Sequence, residues 1–165
     1  MPEIITLKPE QAEEARRLIY LVADVVFPSE RTPEESLVFF QENWPMHDLD
    51  DIQRSYFNNG GVFLAMLEDG RMIGTGAIRY LESGVCELKR FWFLPAFHGT
   101  GLGAMLLARL EEIAREMGYH SMRLETSPLY QPRAYAFYHK YGFFDIPRYG
   151  DDPDDIGMEK DLSQG

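Results

Sequence analysis

The sequence predicts a single α/β (α+β) domain over residues 1–165, one sheet with helices packed on its faces. Three observations carry that prediction. The first third shows helical periodicity. The middle holds apolar strands joined by Asp-Gly and Ser-Gly turns. The remainder runs strand, glycine-rich loop, long helix, strand, helix, strand.

Pro9 to Phe27 reads as a helix, with Ala15, Leu18, Ile19, Val22, Val25 and Val26 at helical spacing and Pro28 stopping it. Thr32-Pro33-Glu34-Glu35 is a helix start, with a threonine to cap, proline at the first position, and acids where the helix dipole favours them. That helix continues through Leu37 to Trp44 and ends at Pro45. His47 to Phe57 predicts a short third helix, and Asn58-Asn59-Gly60-Gly61 a turn. Val62 to Leu67 is an apolar strand, Asp69-Gly70 a hairpin turn, and Met72 to Tyr80 a second strand loosened at its start by Gly74 and Gly76. Ser83-Gly84 turns into a third strand, Val85 to Leu94, ended by Pro95. His98-Gly99-Thr100-Gly101-Leu102-Gly103 then opens a helix from Leu102 to Met117. Its apolar face carries Leu102, Leu106, Leu110, Ile113 and Met117, its outer side a Glu111–Arg115 pair, and Gly118 caps it. Ser121 to Ser127 alternates as a strand, and Arg133 to Lys140 is a short helix closed by Gly142. Phe143 to Ile146 and Gly157 to Leu162 are final strands joined by an acidic loop.

Composition excludes several classes of function. Hydrophobic residues make up 45% and aromatics 13%, too much for a disordered chain. Sixteen basic against 27 acidic residues give a net charge of −11, which repels phosphates and argues against nucleic acid as a partner. The one cysteine, Cys86, excludes an intramolecular disulfide framework and a Cys-cluster zinc site, and it reads as a buried strand thiol. His47, His120 and His139 show no ligand spacing, so no metal is expected. Met1-Pro2-Glu3-Ile4 lacks the basic-then-apolar pattern of a secretory signal, and no apolar run approaches the ~20 residues that span a bilayer. The expectation is a soluble cytoplasmic protein with no membrane partner.

The segment from Cys86 to Gly103 carries the chemistry. A strand that runs into glycines and then a helix N-terminus is an anion cradle: glycines let the backbone approach, several N–H groups converge, and the helix dipole favours negative charge. A phosphate or pyrophosphate is the expected ligand. A dinucleotide fold calls for G-x-G-x-x-G with an acid about twenty residues on. Here the pattern is G-x-G-x-G, with Glu125 suitably placed, but too few residues follow for a doubly wound sheet. A Walker A loop is absent. Trp44, Trp92 and the tyrosines read as core and groove lining. Asp48, Asp50, Asp51 and the cluster Asp151, Asp152, Asp154, Asp155 either attract a cationic acceptor such as a polyamine or lysine side chain, or form a solvated acidic surface, the commoner case.

His98, Gly101 and Gly103 match the loop Arg/Gln-x-x-Gly-x-Gly/Ala of the GNAT family of N-acetyltransferases, with histidine in place of the usual Arg or Gln. Ala134-Tyr135-Ala136-Phe137-Tyr138-His139-Lys140-Tyr141-Gly142-Phe143 resembles that family's Ala-x-x-Leu/Phe-Tyr-x-Lys-x-Gly-Phe signature, with Gln131 where Asn is common. Glu87-Leu88-Lys89-Arg90 and Met158-Glu159-Lys160-Asp161-Leu162 are similar to further stretches of it, so the resemblance covers about Val62 to Leu162 in order.

The resemblance implies a mixed, mainly antiparallel sheet that splays where the Gly-loop strand meets the next, with acetyl-CoA in the gap. It implies direct acetyl transfer to a primary amine of a small-molecule or peptide acceptor, in a ternary complex, and chains that pair as homodimers. Phe91, Trp92 and Phe93, near a strand bulge, and the loop His98, Gly99, Thr100, Gly101, Leu102 and Gly103 would hold the cofactor. Tyr138 would be the acid for the departing thiolate, and Glu87 the base for the amine, unless Lys89 pairs with Glu87 in a structural role. Strand alternation puts Glu87, Lys89, Phe91 and Phe93 on one face, with Leu88, Arg90, Trp92 and Leu94 on the other, a parity that a bulge would change near its end. A noncatalytic acyl-CoA-binding regulatory domain of the same fold is the alternative. A nicotinamide-dependent oxidoreductase ranks third.

Overall fold

The computed structural model describes residues 1–163. Its elements are β1 (Pro2–Thr6), α1 (Ala12–Val26), α2 (Pro33–Asn43), β2 (Val62–Glu68), β3 (Arg71–Glu82), β4 (Val85–Phe93), α3 (Leu102–Glu116), β5 (Ser121–Thr126), α4 (Pro132–Lys140), β6 (Phe144–Ile146) and β7 (Ile156–Asp161). The strands form one seven-stranded sheet in the order β1-β2-β3-β4-β5-β7-β6. Every neighbouring pair is antiparallel except β4–β5. The sheet is therefore mixed and mainly antiparallel, and one parallel pair cannot build the doubly wound sheet of a dinucleotide fold.

Sequence periodicity anticipates most of these elements and misses β1. That strand is five residues long and lies at the sheet edge against β2, with Ile4 and Ile5 serving opposite faces of the core. So short a run carries too few alternations to stand out. The first helix begins at Ala12, after a 3₁₀ turn over Pro9–Gln11. Thr32 caps α2 as expected: its Oγ1 accepts from the Glu35 amide, and Glu35 Oε1 accepts in return from the Thr32 amide at 2.9 Å. The expected third helix is a 3₁₀ turn, His47–Asp50, followed by a wider π-helical turn, Gln53–Phe57. Asp69 and Gly70 both take positive φ, the primed turn that matches strand twist. Glu111 does not lie on the outer side of α3. It is buried, takes Lys160 Nζ at 2.9 and 3.0 Å, and ties the helix to β7.

The sheet divides the core in two. On one face α1, α2 and the turns after them bury Ile19, Phe40, Tyr56, Phe63 and Ala77. On the other, α3 and α4 bury Ile78, Leu88, Leu106, Leu110 and Tyr138. Between β4 and β5 the pairing covers only Val85–Glu87 against Ser121–Arg123. Beyond Glu87 the strands part, leaving one edge of β4 without a strand partner and opening a cleft through the sheet.

Candidate active site

A β-bulge decides which side chains enter the cleft. Opposite the single residue Gly76 of β3, β4 places two, Arg90 and Phe91, because the register steps from Ala77↔Lys89 to Thr75↔Trp92. Arg90 takes φ 54°, rare for a residue with a Cβ, and Thr75 Oγ1 donates to its carbonyl at 2.7 Å. The bulge thus sits at Arg90–Phe91, at the near edge of the Phe91 to Phe93 segment where it was expected. It overturns the simple alternation of faces from Arg90 on. Arg90 reaches Asp48 and lies over the Trp44 ring, and Trp92 packs on Trp44, all on the α1–α2 side with Glu87. Phe91 and Phe93 turn to the α3–α4 side. Gly76 and Gly74 make room for them: a Cβ at Gly74 would lie 2.4 Å from the Phe93 ring, and one at Gly76 3.1 Å from Phe91. These glycines clear space for rings and do more than loosen the strand.

On the α3–α4 side, reaching Val22 and Val26 of α1, lies a groove of about 670 Å³ lined by Phe91, Trp92, Phe93, the loop from Phe97 to Gly101, Gly103 and Ala104 at the start of α3, and α4. Leu102, expected beside them at the cofactor, packs instead against the core under α3 and does not line the groove. Gly99 and Gly101 take φ 75° and 87°. The first bond of the α3 ladder runs from the Met105 amide to the Gly101 carbonyl, so the amides of Gly103 and Ala104 before it have no partner in that ladder. Both residues line the groove, and unpaired amides at a helix N-terminus favour an anion. His98 does not stand in for the long donor it replaces. Its Nε2 donates to the Phe93 carbonyl at 2.8 Å and pins the loop to the end of β4. Thr100 Oγ1 likewise donates to the Phe97 carbonyl at 2.6 Å. Among the described residues, Arg133 and Lys140 line the groove, no carboxylate does, and Arg133 stands beside Gly99. On a chain of net charge −11, a carboxylate-free groove with two cations is a local inversion that fits a polyphosphate. Sequence reading gave neither cation a place at the cofactor: Lys140 stood only as a residue of the Tyr138 signature, and Arg133 lies one residue before that signature.

On the α1–α2 side lies a second cavity, of about 510 Å³. Glu87, 6% exposed, stands in its wall. Its partner is not Lys89 but Arg79, at 3.0 Å, and the Tyr149 hydroxyl donates to its other oxygen at 2.8 Å. Tyr149 comes from the β6–β7 loop, which Glu125 anchors by accepting the Tyr149 and Gly150 amides at 3.1 and 2.8 Å. No motif in the sequence marks Tyr149, since the contact spans 62 positions. Lys89 lines the same cavity, and burial, with Arg90 nearby, pushes its ammonium down. Asp152, Asp154 and Asp155 also line the wall, so the acidic loop is part of the cavity and not only a solvated surface. Asp48 and Asp50 serve structure instead: Asp48 pairs with Arg90, and Asp50 with Arg16 at 2.7 Å.

The groove and the cavity meet. Phe91, Trp92, Tyr130, Gln131 and Tyr138 line both. Tyr138 is buried against Phe91, Phe137 and Phe143, and burial pushes its phenol well above the ordinary tyrosine range. Among the described residues its hydroxyl has no hydrogen-bond partner, which leaves it available at the junction. Cys86 is fully buried and its thiol is pushed up to about 12, which leaves it inert.

The family model of the acetyltransferase (GNAT) family matches residues 29–143. The chain is 36% identical to the uncharacterized N-acetyltransferase YjgM of Escherichia coli over 99 residues, 58% of this chain and 59% of that protein. It is 39% identical over 104 residues to the IAA acetyltransferase of Azospirillum brasilense, 61% of this chain and 67% of that one. The chain thus spans about 59 to 67% of these relatives' length. Its fold is similar to that of the PaiA N-acetyltransferase of Thermoplasma acidophilum, solved in complex with coenzyme A, with a TM-score of 0.81 at 24% identity over 98% of this chain and 99% of that one.

Proposed function

We propose, since the chain belongs to the GNAT acetyltransferase family, that it transfers the acetyl group of acetyl-CoA directly to a primary amine. One observation carries this reading. A cationic, carboxylate-free groove and an acid-lined cavity meet at a buried phenol, so an anionic donor and an amine acceptor can approach one another from opposite sides of the sheet.

The roles follow from position. The amides of Gly103 and Ala104, with Arg133, bind the donor's phosphates, and Phe91 and Phe93 floor the groove for its apolar arm. His98 and Thr100 shape the loop through main-chain carbonyls. The bound donor supplies an acyl group activated as a thioester. The open edge of β4 beyond Glu87 offers main-chain amides where negative charge grows on the carbonyl oxygen. Glu87 takes the proton of the incoming ammonium, directly or through water, and Tyr138 gives one to the departing thiolate. The Tyr149 hydroxyl is a positioning group that holds the Glu87 carboxylate in the cavity wall.

Isothermal titration with acetyl-CoA, with NADH as control, followed by mass detection of acetylated amines, tests the reading. Saturable acetyl-CoA binding and an amide product are expected. NADH binding in place of acetyl-CoA would sink it. Arg133→Ala should weaken acetyl-CoA binding roughly three- to tenfold, most visibly at low salt, because an exposed cation on phosphate is screened. Tyr149→Phe should lower kcat/KM for the amine roughly three- to tenfold and leave the acetyl-CoA Kd in place, since it loosens only the base. An equal loss in donor affinity would show that Tyr149 merely supports the fold.

A further inference from the structure

We propose that Lys89 is a self-acetylation site: when no amine acceptor is present, the chain transfers an acetyl group from its own bound acetyl-CoA to the Lys89 side-chain nitrogen. This inference rests on the acetyltransferase reading of the site. Its ground is that Lys89 is the one lysine amine the chain itself places at the acceptor cavity, and that nothing ties it down there. The sequence has four lysines, Lys8, Lys89, Lys140 and Lys160. Lys160 is taken up by Glu111 at 2.9 and 3.0 Å. Lys140 lines the donor groove, with its Nζ 5.6 Å from the centre of the Tyr141 ring, and Lys8 is exposed. Lys89 lines the acceptor cavity and, among the described residues, makes neither a hydrogen bond nor an ion pair. The carboxylates nearest it along the strand and across from it are already committed, Glu87 to Arg79 and Tyr149, and Asp48 to Arg90.

Position supplies the rest. Lys89 lines the same cavity as Glu87 and Tyr138, and it stands two residues before Phe91, which lines both cavity and groove. Two residues of strand span about 7 Å, a distance that a lysine's flexible four-carbon stem covers. The amine and the junction therefore lie within one side chain's length. Burial, then the Arg90 guanidinium, push the Lys89 ammonium down, which raises the share of neutral amine, the form that attacks a carbonyl. In the transfer, the Lys89 nitrogen bonds to the acetyl carbon and the carbon–sulfur bond breaks. Glu87 takes the proton that the nitrogen gives up, and Tyr138 protonates the thiolate. The products are an Nζ-acetyl-lysine amide and the free thiol of coenzyme A. The acetylated side chain carries no charge, so the cavity loses the one lining cation that has no partner among the described residues.

Incubation of the unmodified protein with acetyl-CoA and no amine, followed by intact-mass measurement and peptide mapping, tests this. One acetyl group per chain is expected at Lys89, appearing at least roughly tenfold faster than any at Lys8 or Lys140. Its rate per chain should not change when the protein is diluted, because donor and acceptor belong to one molecule. Lys89→Arg should abolish the gain, and Tyr138→Phe should slow it roughly 10²-fold. Acetylation spread over Lys8 and Lys140, a rate per chain that falls on dilution, or equal rates in Tyr138→Phe and the parent would overturn the inference. So would an unmodified Lys89 in protein that binds acetyl-CoA in the titration, with the donor reading left standing. Failure to bind acetyl-CoA at all would count against the transferase reading instead.

Discussion

Tyr138→Phe is expected to lower kcat by roughly 10²- to 10³-fold, the scale of a positioned general acid, while the acetyl-CoA Kd stays within about twofold. The substitution is clean because the ring does the packing. Its centroid lies 5.6 Å from Phe137, 5.6 Å from Phe143 and 6.2 Å from Phe91, contacts that phenylalanine keeps. The hydroxyl has no protein partner among the described residues, so its removal leaves no buried group unsatisfied. Burial raises the phenol above the usual tyrosine range. A raised value keeps the proton on at neutral pH, which is the state an acid must be in. It also predicts no loss of kcat from Tyr138 ionisation as pH rises to about 9. A variant that binds acetyl-CoA and turns over like the parent would favour the binding-only alternative for this fold.

The contrast between what could and could not be read beforehand follows the range of each interaction. Thr32 and Glu35 close their box within four residues, Asp69-Gly70 sets its own turn, and the Gly99–Gly103 loop announces a helix N-terminus, so all three are visible in the chain. The core followed from periodicity for the same reason. The site is different. Whether Phe91 or Arg90 faces the α1–α2 side depends on one extra residue in β4, and that bulge is fixed by contacts from Asp48, 42 positions earlier, and Thr75. The partners of Glu87 come from the neighbouring strand and from a loop 62 residues on, so Lys89 looked the nearer candidate. The charge split between groove and cavity was invisible for a similar reason. Arg133 stands just before the Tyr138 motif and Lys140 within it, where nothing local shows that both face the groove, and the acidic loop had no visible address until β6 and β7 carried it to the cleft.

The bulge therefore makes Asp48 the position where the largest structural effect is expected. Its Oδ1 accepts from Arg90 Nη2 at 2.7 Å and its Oδ2 from Arg90 Nε at 3.0 Å, and the Tyr56 hydroxyl donates to the same Oδ2. The two side chains are only 11% and 14% exposed. Asp48→Ala would leave the Arg90 guanidinium buried without its counter-charge, at a cost of about 3–5 kcal/mol, or roughly 8–15 °C in melting temperature. Acetyl-CoA affinity should fall with it, because the residue that loses its anchor is the bulge residue itself. Joint loss of stability and donor binding separates this position from Tyr138. The double variant Asp48→Leu/Arg90→Leu removes both charges and should be less unstable than Asp48→Ala alone. Absence of that recovery would mean that the pair is not what holds the bulge.

The same pair has a pH signature. Burial works against the Asp48 carboxylate, but the Arg90 guanidinium and the Tyr56 hydroxyl outweigh it and hold the group at about 2, below its ordinary 3.8. A depressed folded-state value stabilises the fold in full above the unfolded value and loses that contribution as pH falls. The stabilisation is about 2 kcal/mol at neutral pH, and it should fade between about pH 4 and pH 2. Asp48→Asn keeps the shape and has no proton to take up there. Its stability should therefore run flatter than the parent's through that window, and parallel curves would move the acid sensitivity to another carboxylate.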